Sequence, residues 1–232
     1  MVITPTVLLR LSAGAAVAAG VTFIGVQLGH PHSDVSQVTT TEWAVRNTLK
    51  VLMATLALAG ITGMYLRQVR EIGLLGLIGY GTFAIGYLTI MATAFISAFV
   101  LPTIAATDPT YVNDVLAAAT NGTATGDIGL MQTMISFTGV TFLGGGLIFG
   151  IALYRARVLA RWAAVLLAVA SLLTASLAFL PDAFYRFLAF PNAIAMIGLG
   201  YSLWLTTRGR PATPTTPPAG ADDELFTVDV QR

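Results

Sequence analysis

Long apolar runs, separated by short polar or basic segments, dominate this chain of 232 residues. Several of the runs reach the roughly 20 residues that a helix needs to cross the hydrocarbon core of a bilayer. They are much longer than the strands of a membrane barrel, in which apolar and polar residues alternate over roughly ten positions. A segment inside a bilayer must satisfy its own backbone hydrogen bonds. The sequence therefore predicts an all-α fold, a polytopic transmembrane helix bundle.

Composition supports this class and narrows the available chemistry. Charged residues make up 10% of the chain and hydrophobic residues 56%, whereas a soluble domain carries roughly 25% charged residues. The chain has no cysteine, which excludes disulfides, thiolate metal sites and cysteine nucleophiles. A net charge of +1 gives no basis for a nucleic-acid partner, because such binding rests on a clustered basic surface.

The apolar runs predict about six spans. Their expected limits are 11–29, 49–66, 73–101, 128–154, 162–180 and 191–205. The third span is expected to end before Pro102, because proline disfavours helix at the residue that precedes it. The first run also fits a signal peptide, but it lacks a small-residue cleavage site at its end, so we predict a retained span.

Two further segments have distinct patterns. A short helix is predicted at 109–119, where Asp108 is a suitable N-cap residue and Pro109 suits the first helical position. Its apolar residues fall on one stripe, which predicts a helix lying on the outer membrane surface. The segment 207–232 is rich in proline and small polar residues, and we predict a disordered cytoplasmic tail.

The positively charged residues predict the orientation. Eight of them fall on one side of the predicted spans and three on the other. The larger group comprises Arg10, Arg67, Arg70, Arg155, Arg157, Arg161, Arg208 and Arg210, and the smaller comprises Arg46, Lys50 and Arg186. Because cytoplasmic flanks carry an excess of arginine and lysine, this asymmetry favours both chain ends inside, N-in and C-in.

The central parts of the predicted spans contain no aspartate, glutamate, lysine, arginine or histidine. Such residues usually mark proton relays, ion paths or counter-ions, so their absence argues against a proton-coupled transporter, an ion pump or a retinal protein. A carrier of an uncharged molecule remains compatible with spans that lack such residues.

Glycine is abundant in the third, fourth and sixth predicted spans. The spacing of Gly146 and Gly150 permits close approach of another helix, and we predict that both pack within the bundle. A dimer face or a flexible hinge is an alternative use of the same spacing. The triple glycine at 144–146 also fits a helix broken near the midplane.

Ionisable residues gather on the predicted outer side. Candidate acids or bases are Glu42, Asp108 and Asp127, and candidate ligand-binding residues are His30, His32, Arg46 and Gln132. Imidazole and carboxylate together can hold a divalent metal. Histidines at a membrane surface are more often solvated or capping, so we predict no metal site and no cofactor. Glu42, Arg46 and Lys50 also fit a ladder of charges on one helix face.

Several short segments carry a resemblance: Thr-Thr-Glu-Trp at 40–43, Gly-Ile-Thr-Gly-Met-Tyr-Leu-Arg-Gln-Val-Arg at 60–70, Gly-Asp-Ile-Gly at 126–129 and Ile-Gly-Leu-Gly-Tyr-Ser-Leu-Trp at 197–204. Over residues 8–206 the chain resembles small six-span membrane proteins of high-GC Gram-positive bacteria, a group without an assigned activity. The resemblance implies a bacterial plasma membrane as the location.

Two functions remain open on this sequence. The first is a carrier or receptor for an apolar or uncharged molecule, or an accessory subunit of an envelope complex. The second is a membrane-embedded enzyme acting on a lipid or isoprenoid at the outer leaflet. The expected partners are the lipid bilayer and either another membrane protein or a second copy of the chain.

Overall fold

The computed structural model describes residues 4–28, 34–120, 123–175 and 189–208. Within these ranges every regular element is a helix, which confirms the predicted all-α class. The candidates His30 and His32 lie outside the described residues, as do the last five positions of the predicted fifth span and the predicted tail apart from its first two positions.

The described helices are α1 Pro5–Gln27, α2 Val35–Val38, α3 Thr41–Arg67, α4 Gly73–Phe95, a π-helical segment Ile96–Val100, α5 Leu101–Ala105, α6 Pro109–Ala119, α7 Leu130–Ala156, α8 Arg161–Ala175 and α9 Ala189–Arg208. Four stretches are long and apolar enough to cross a membrane: Pro5–Gln27, Thr41–Arg67, Gly73–Ala105 and Leu130–Ala156. A shorter apolar helix covers Arg161–Leu173.

The outward surface of these helices is apolar. Leu11 is 66% exposed, Leu74 71% and Val140 70%. A protein in water exposes few large apolar side chains in contiguous patches, because their contact with water is unfavourable. The exterior therefore suits a hydrocarbon environment, in agreement with the four candidate spans.

Six long helices within the described ranges pack in the order α1, α3, α4, α7, α8 and α9, and α9 returns to pack against α1. Neighbours run antiparallel: Gly60 of α3 lies against Ala16, and Gly63, three residues later, lies against the earlier Ser12. The ring therefore has two ends. We call the end with the N-terminus of α1 and the C-terminus of α9 the basic end, and the end with α2, α5 and α6 the cap end.

Glycines let the helix backbones approach closely. A Cβ added at Gly79 of α4 would lie 2.6 Å from the backbone nitrogen of Phe149, and one at Gly86 would lie 2.7 Å from Phe142 Cα. Gly145 of α7 faces the backbone of Phe83 in the same interface. Any larger residue at these positions would push α4 and α7 apart.

Gly146 and Gly150 face α8. An added Cβ at Gly146 would meet the hydroxyl of Ser171, and one at Gly150 would lie 2.8 Å from the backbone nitrogen of Ala168. The α7 helix runs through residues 144–146 without interruption, so the triple glycine does not break it. The glycines of this run instead allow α7 to contact two neighbouring helices, α4 and α8.

The helical path does not stop before Pro102, where the third span was expected to end. It widens into the π-helical segment and continues as α5, with Pro102 in the first turn. A proline ring clashes with the carbonyl four residues earlier in a regular α-helix. The wider π turn just before Pro102 gives the ring room, so the chain passes the proline while remaining helical.

Candidate functional site

A second, smaller core closes the cap end of the ring. Its buried residues come from α2, α3, α5, α6 and the segment before α7, and comprise Val38, Trp43, Leu101, Val112, Val115, Leu116, Ala118 and Ile128. The apolar stripe of α6 thus packs on the protein itself. The sequence had predicted a stripe facing the membrane surface, and the partners that cover it come from distant segments.

Trp43 fixes the π-helical segment to α3. Its indole Nε1 donates to the backbone carbonyl of Ser97 at 2.8 Å, and the side chain is 4% exposed. The N–H of Leu101 donates to the carbonyl of Ile96, five residues earlier. At the same spacing the carbonyl of Ser97 would accept from residue 102, which is a proline and has no N–H. Trp43 therefore supplies the donor that the helix backbone does not offer to Ser97.

Asp114 holds the loop that leads into α7. Its carboxylate accepts from the backbone N–H and the hydroxyl of Thr125, at 2.8 and 2.9 Å, and from the N–H of Gly126 at 3.0 Å. The two Thr125 bonds lower the pKa of Asp114 below its ordinary value, because they favour the charged form. Asp114 is buried, and its role is to tie this loop to α6.

Glu42 and Arg46 form an ion pair at 2.9 Å, one helical turn apart on α3. Arg46 also donates to the carbonyls of Val26 and Leu28, at 3.3 and 2.8 Å. These carbonyls belong to the last turn and C-cap of α1, where helix carbonyls lack partners within the helix. Arg46 therefore joins α3 to the end of α1.

The other described carboxylates at the cap end cap the start of a helix or close a turn. Asp108 accepts from the N–H of Tyr111 at 3.0 Å as the N-cap of α6, the role for which its position before Pro109 is suited. Asp127 accepts from the N–H of Gly129 at 2.7 Å. Asp34 caps α2, and the N–H of Ser36 lowers its pKa.

Two shallow, open depressions are lined in part by predicted site residues. One, of about 360 Å³, is lined by residues 123, 124 and 126–129, among them Asp127, and by Gln132. The other has the same volume and lies between α1 and α3, where Glu42 and Arg46 line it. Asp127 and Gln132 thus lie in one place at the cap end and Glu42 and Arg46 in another, while Asp108 lines neither depression. Among the described residues, no three of His, Asp or Glu are grouped as a metal ion would require.

The interior of the ring between α3, α4 and α7 is filled by aromatic side chains. Phe83, Tyr87 and Phe149 are at most 1% exposed. Tyr65 and Tyr80 stack with ring centroids 4.7 Å apart, and the hydroxyl of Tyr80 lies 3.0 Å from that of Thr62. This part of the bundle is a packed core.

Two buried amides have polar atoms without a hydrogen-bond partner among the described residues. They are Gln68, through its Oε1 atom, and Asn192, through both its amide nitrogen and its oxygen. Gln68 was missed from the sequence, although it follows the buried Ile61 and Met64 at helical spacing. Asn192 is 2% exposed and lies in the first turn of α9.

The chain matches no protein-family model, no curated protein and no solved structure. Over the described residues the chain is all-helical, and four of its helices are long and apolar enough to cross a membrane.

Proposed function

We propose that this chain is a six-span protein of a bacterial plasma membrane, with both ends in the cytoplasm, that acts as a non-catalytic accessory subunit of a membrane complex. In this proposal the helices α8 and α9 supply the fifth and sixth spans. The ring supports this assignment, because α8 packs against α7 and α9, and α9 packs against α1. The resemblance to six-span proteins of high-GC Gram-positive bacteria stays a prediction.

The observation that carries the accessory role is the use of the outer carboxylates. Glu42 pairs with Arg46, Asp108 caps α6 and Asp127 closes a turn. Glu42 and Asp127 line two separate depressions and Asp108 lines neither, whereas general acid–base catalysis needs its groups within reach of one substrate. The arrangement thus favours a structural role over an enzyme acting at the outer leaflet.

Packing of the interior supports the same conclusion. Phe83, Tyr87 and Phe149 fill the space between three helices, and glycines bring α4 and α7 into backbone contact. A bundle packed in this way acts through its outer surface. A partner protein in the membrane is the occupant that we propose for that surface.

One observation favours a carrier or receptor for an uncharged polar molecule as the second candidate. The amide of Asn192 is buried, and neither its nitrogen nor its oxygen has a partner among the described residues. Burying such a group without a hydrogen bond costs about 1–3 kcal/mol. A ligand with one donor and one acceptor would satisfy it.

Native mass spectrometry of the full chain, released gently from its own membrane, tests the proposal. We expect a protein partner at fixed stoichiometry and no small molecule. The partner should persist in Glu42→Ala and Asp127→Ala, since neither carboxylate has a chemical role. A bound small molecule that disappears in Asn192→Leu, without loss of expression, would instead establish the carrier function.

A further inference from the structure

The turn between α7 and α8 concentrates positive charge at the basic end. We call residues 154–162 the basic turn, which contains Arg155, Arg157 and Arg161. All three arginines are exposed, and no ion pair of theirs occurs among the described residues. Among the described acidic residues, Glu71 lies nearest to the basic end, because it is in the turn that joins α3 to α4.

The backbone at Arg157 has a conformation that disfavours arginine. Its φ is 58°, in the left-handed region, where glycine is the common residue at the end of a helix. Among the described residues, Arg157 is the one non-glycine residue whose φ is positive. An arginine in this conformation costs free energy, and that cost points to a use for its guanidinium group.

Arg161 is held in place by an aromatic ring. Its Cζ lies 4.3 Å from the centroid of the Tyr154 ring. A guanidinium stacked through its flat face keeps its N–H donors free at the edge, where they match the oxygens of a phosphate. The N-terminus of α8, which begins at Arg161, adds a partial positive charge at the same point.

The surface next to these arginines is apolar. Val165 and Val169 follow Arg161 at spacings of four residues and are 42% and 41% exposed. Trp162, 59% exposed, adds an aromatic residue of the kind enriched where hydrocarbon meets water. An anion bound at the turn would therefore have hydrocarbon-compatible surface directly beside it.

We propose that the basic turn binds the phosphate headgroup of an anionic phospholipid, whose acyl chains lie along the exposed valines of α8. Both the charge and the adjoining apolar stripe fit this ligand, whereas a free phosphate ion would use the charge alone. Basic sites at helix ends on the cytoplasmic side are suited to such headgroups. This proposal adds a lipid site to the accessory role and does not depend on a partner protein.

Titration of the purified full chain in detergent, followed by native mass spectrometry, tests the site. The probes are dioleoyl phosphatidylglycerol, dioleoyl phosphatidylcholine and inorganic phosphate. We expect phosphatidylglycerol to bind more tightly than phosphatidylcholine. Replacing all three arginines by glutamine should weaken phosphatidylglycerol binding by about a hundredfold, since each contributes about fivefold near a membrane surface.

Two single variants distinguish binding at the basic turn from a general effect of positive charge at this end of the protein. Arg157→Gly removes a guanidinium and suits the local backbone, so it should fold normally and bind phosphatidylglycerol about fivefold more weakly. Arg70→Gln removes an exposed arginine at the same end, in the turn after α3, and should leave binding unchanged. Equal losses in the two variants, equal binding of both lipids, or displacement of the lipid by millimolar phosphate would each overturn the proposal.

Discussion

The indole nitrogen of Trp43 donates a hydrogen bond to the backbone carbonyl of Ser97 across 2.8 Å, between residues 54 positions apart in the chain. The bond joins the first turn of α3 to the π-helical segment that precedes Pro102. Because proline cannot donate, the widened helix leaves this carbonyl in need of another donor. A tryptophan on a different helix provides it.

Replacing Trp43 by phenylalanine should lower the free energy of unfolding by about 2 kcal/mol, because a partly buried carbonyl loses its donor. Chemical or thermal unfolding in detergent measures the change. The same substitution should also be made in the variant Pro102→Ala, in which residue 102 regains the backbone N–H that can donate to the Ser97 carbonyl. We expect Trp43→Phe to cost clearly less in that background, and an equal cost in both would refute this account of the Ser97 carbonyl.

Neighbouring glycines of α7 should respond in opposite ways to alanine. Gly145→Ala places a Cβ against the backbone of Phe83 and should cost about 1–3 kcal/mol through overpacking. At Gly144 nothing lies within 4 Å of an added Cβ, so Gly144→Ala should be neutral or stabilising by up to about 1 kcal/mol. Similar melting temperatures for the two variants would contradict the packing described for α4 and α7.

Strain at Arg157 predicts a gain in stability on substitution. Arg157→Gly should raise the free energy of unfolding by about 1 kcal/mol, because glycine adopts positive φ without steric cost. Arg155→Gly, two residues earlier within α7, is the control and should lower stability by about 1 kcal/mol, since glycine weakens a helix. Destabilisation by both substitutions to a similar extent would count against a strained backbone at Arg157.

Asp114 predicts a dependence of stability on pH. Hydrogen bonds from Thr125 hold its pKa in the folded protein below the ordinary value, which is roughly 3.9 in an unfolded chain. Its contribution to stability is therefore complete above that ordinary value and is lost as the pH falls through the folded-state pKa. Melting temperatures of the wild type and Asp114→Asn should differ at neutral pH and converge in acid. Asp34→Asn, at the exposed cap of α2, is the control and should change the melting temperature less.

Orientation can be measured directly, because the chain has no native cysteine. Single cysteines placed by Thr110→Cys at the cap end and Val69→Cys at the basic end both occupy exposed positions. In intact cells we expect a membrane-impermeant maleimide to label the first and to label the second only after permeabilisation. The reverse pattern would overturn the proposed orientation, and labelling of both in intact cells would overturn the proposed span arrangement.

Much of the fold was predictable because its signals are local. The apolar runs predicted helices, and the pair Asp108 and Pro109 predicted the start of α6, where the helix begins at Pro109. The roles of the site residues were harder to predict. Asp114 was one of several acidic residues in the sequence, and its function as a clamp depends on Thr125, which lies 11 residues away.

Local sequence is sufficient to make this chain helical and apolar, since helix formation in long apolar runs depends on residues within a few turns. Which helix faces meet depends on tertiary packing, through which Arg46 reaches the end of α1 and α9 closes the ring against α1. The same packing places Glu42 and Asp127 in separate depressions. These contacts depend on how whole helices pack, and packing is set by the combined shapes of distant side chains.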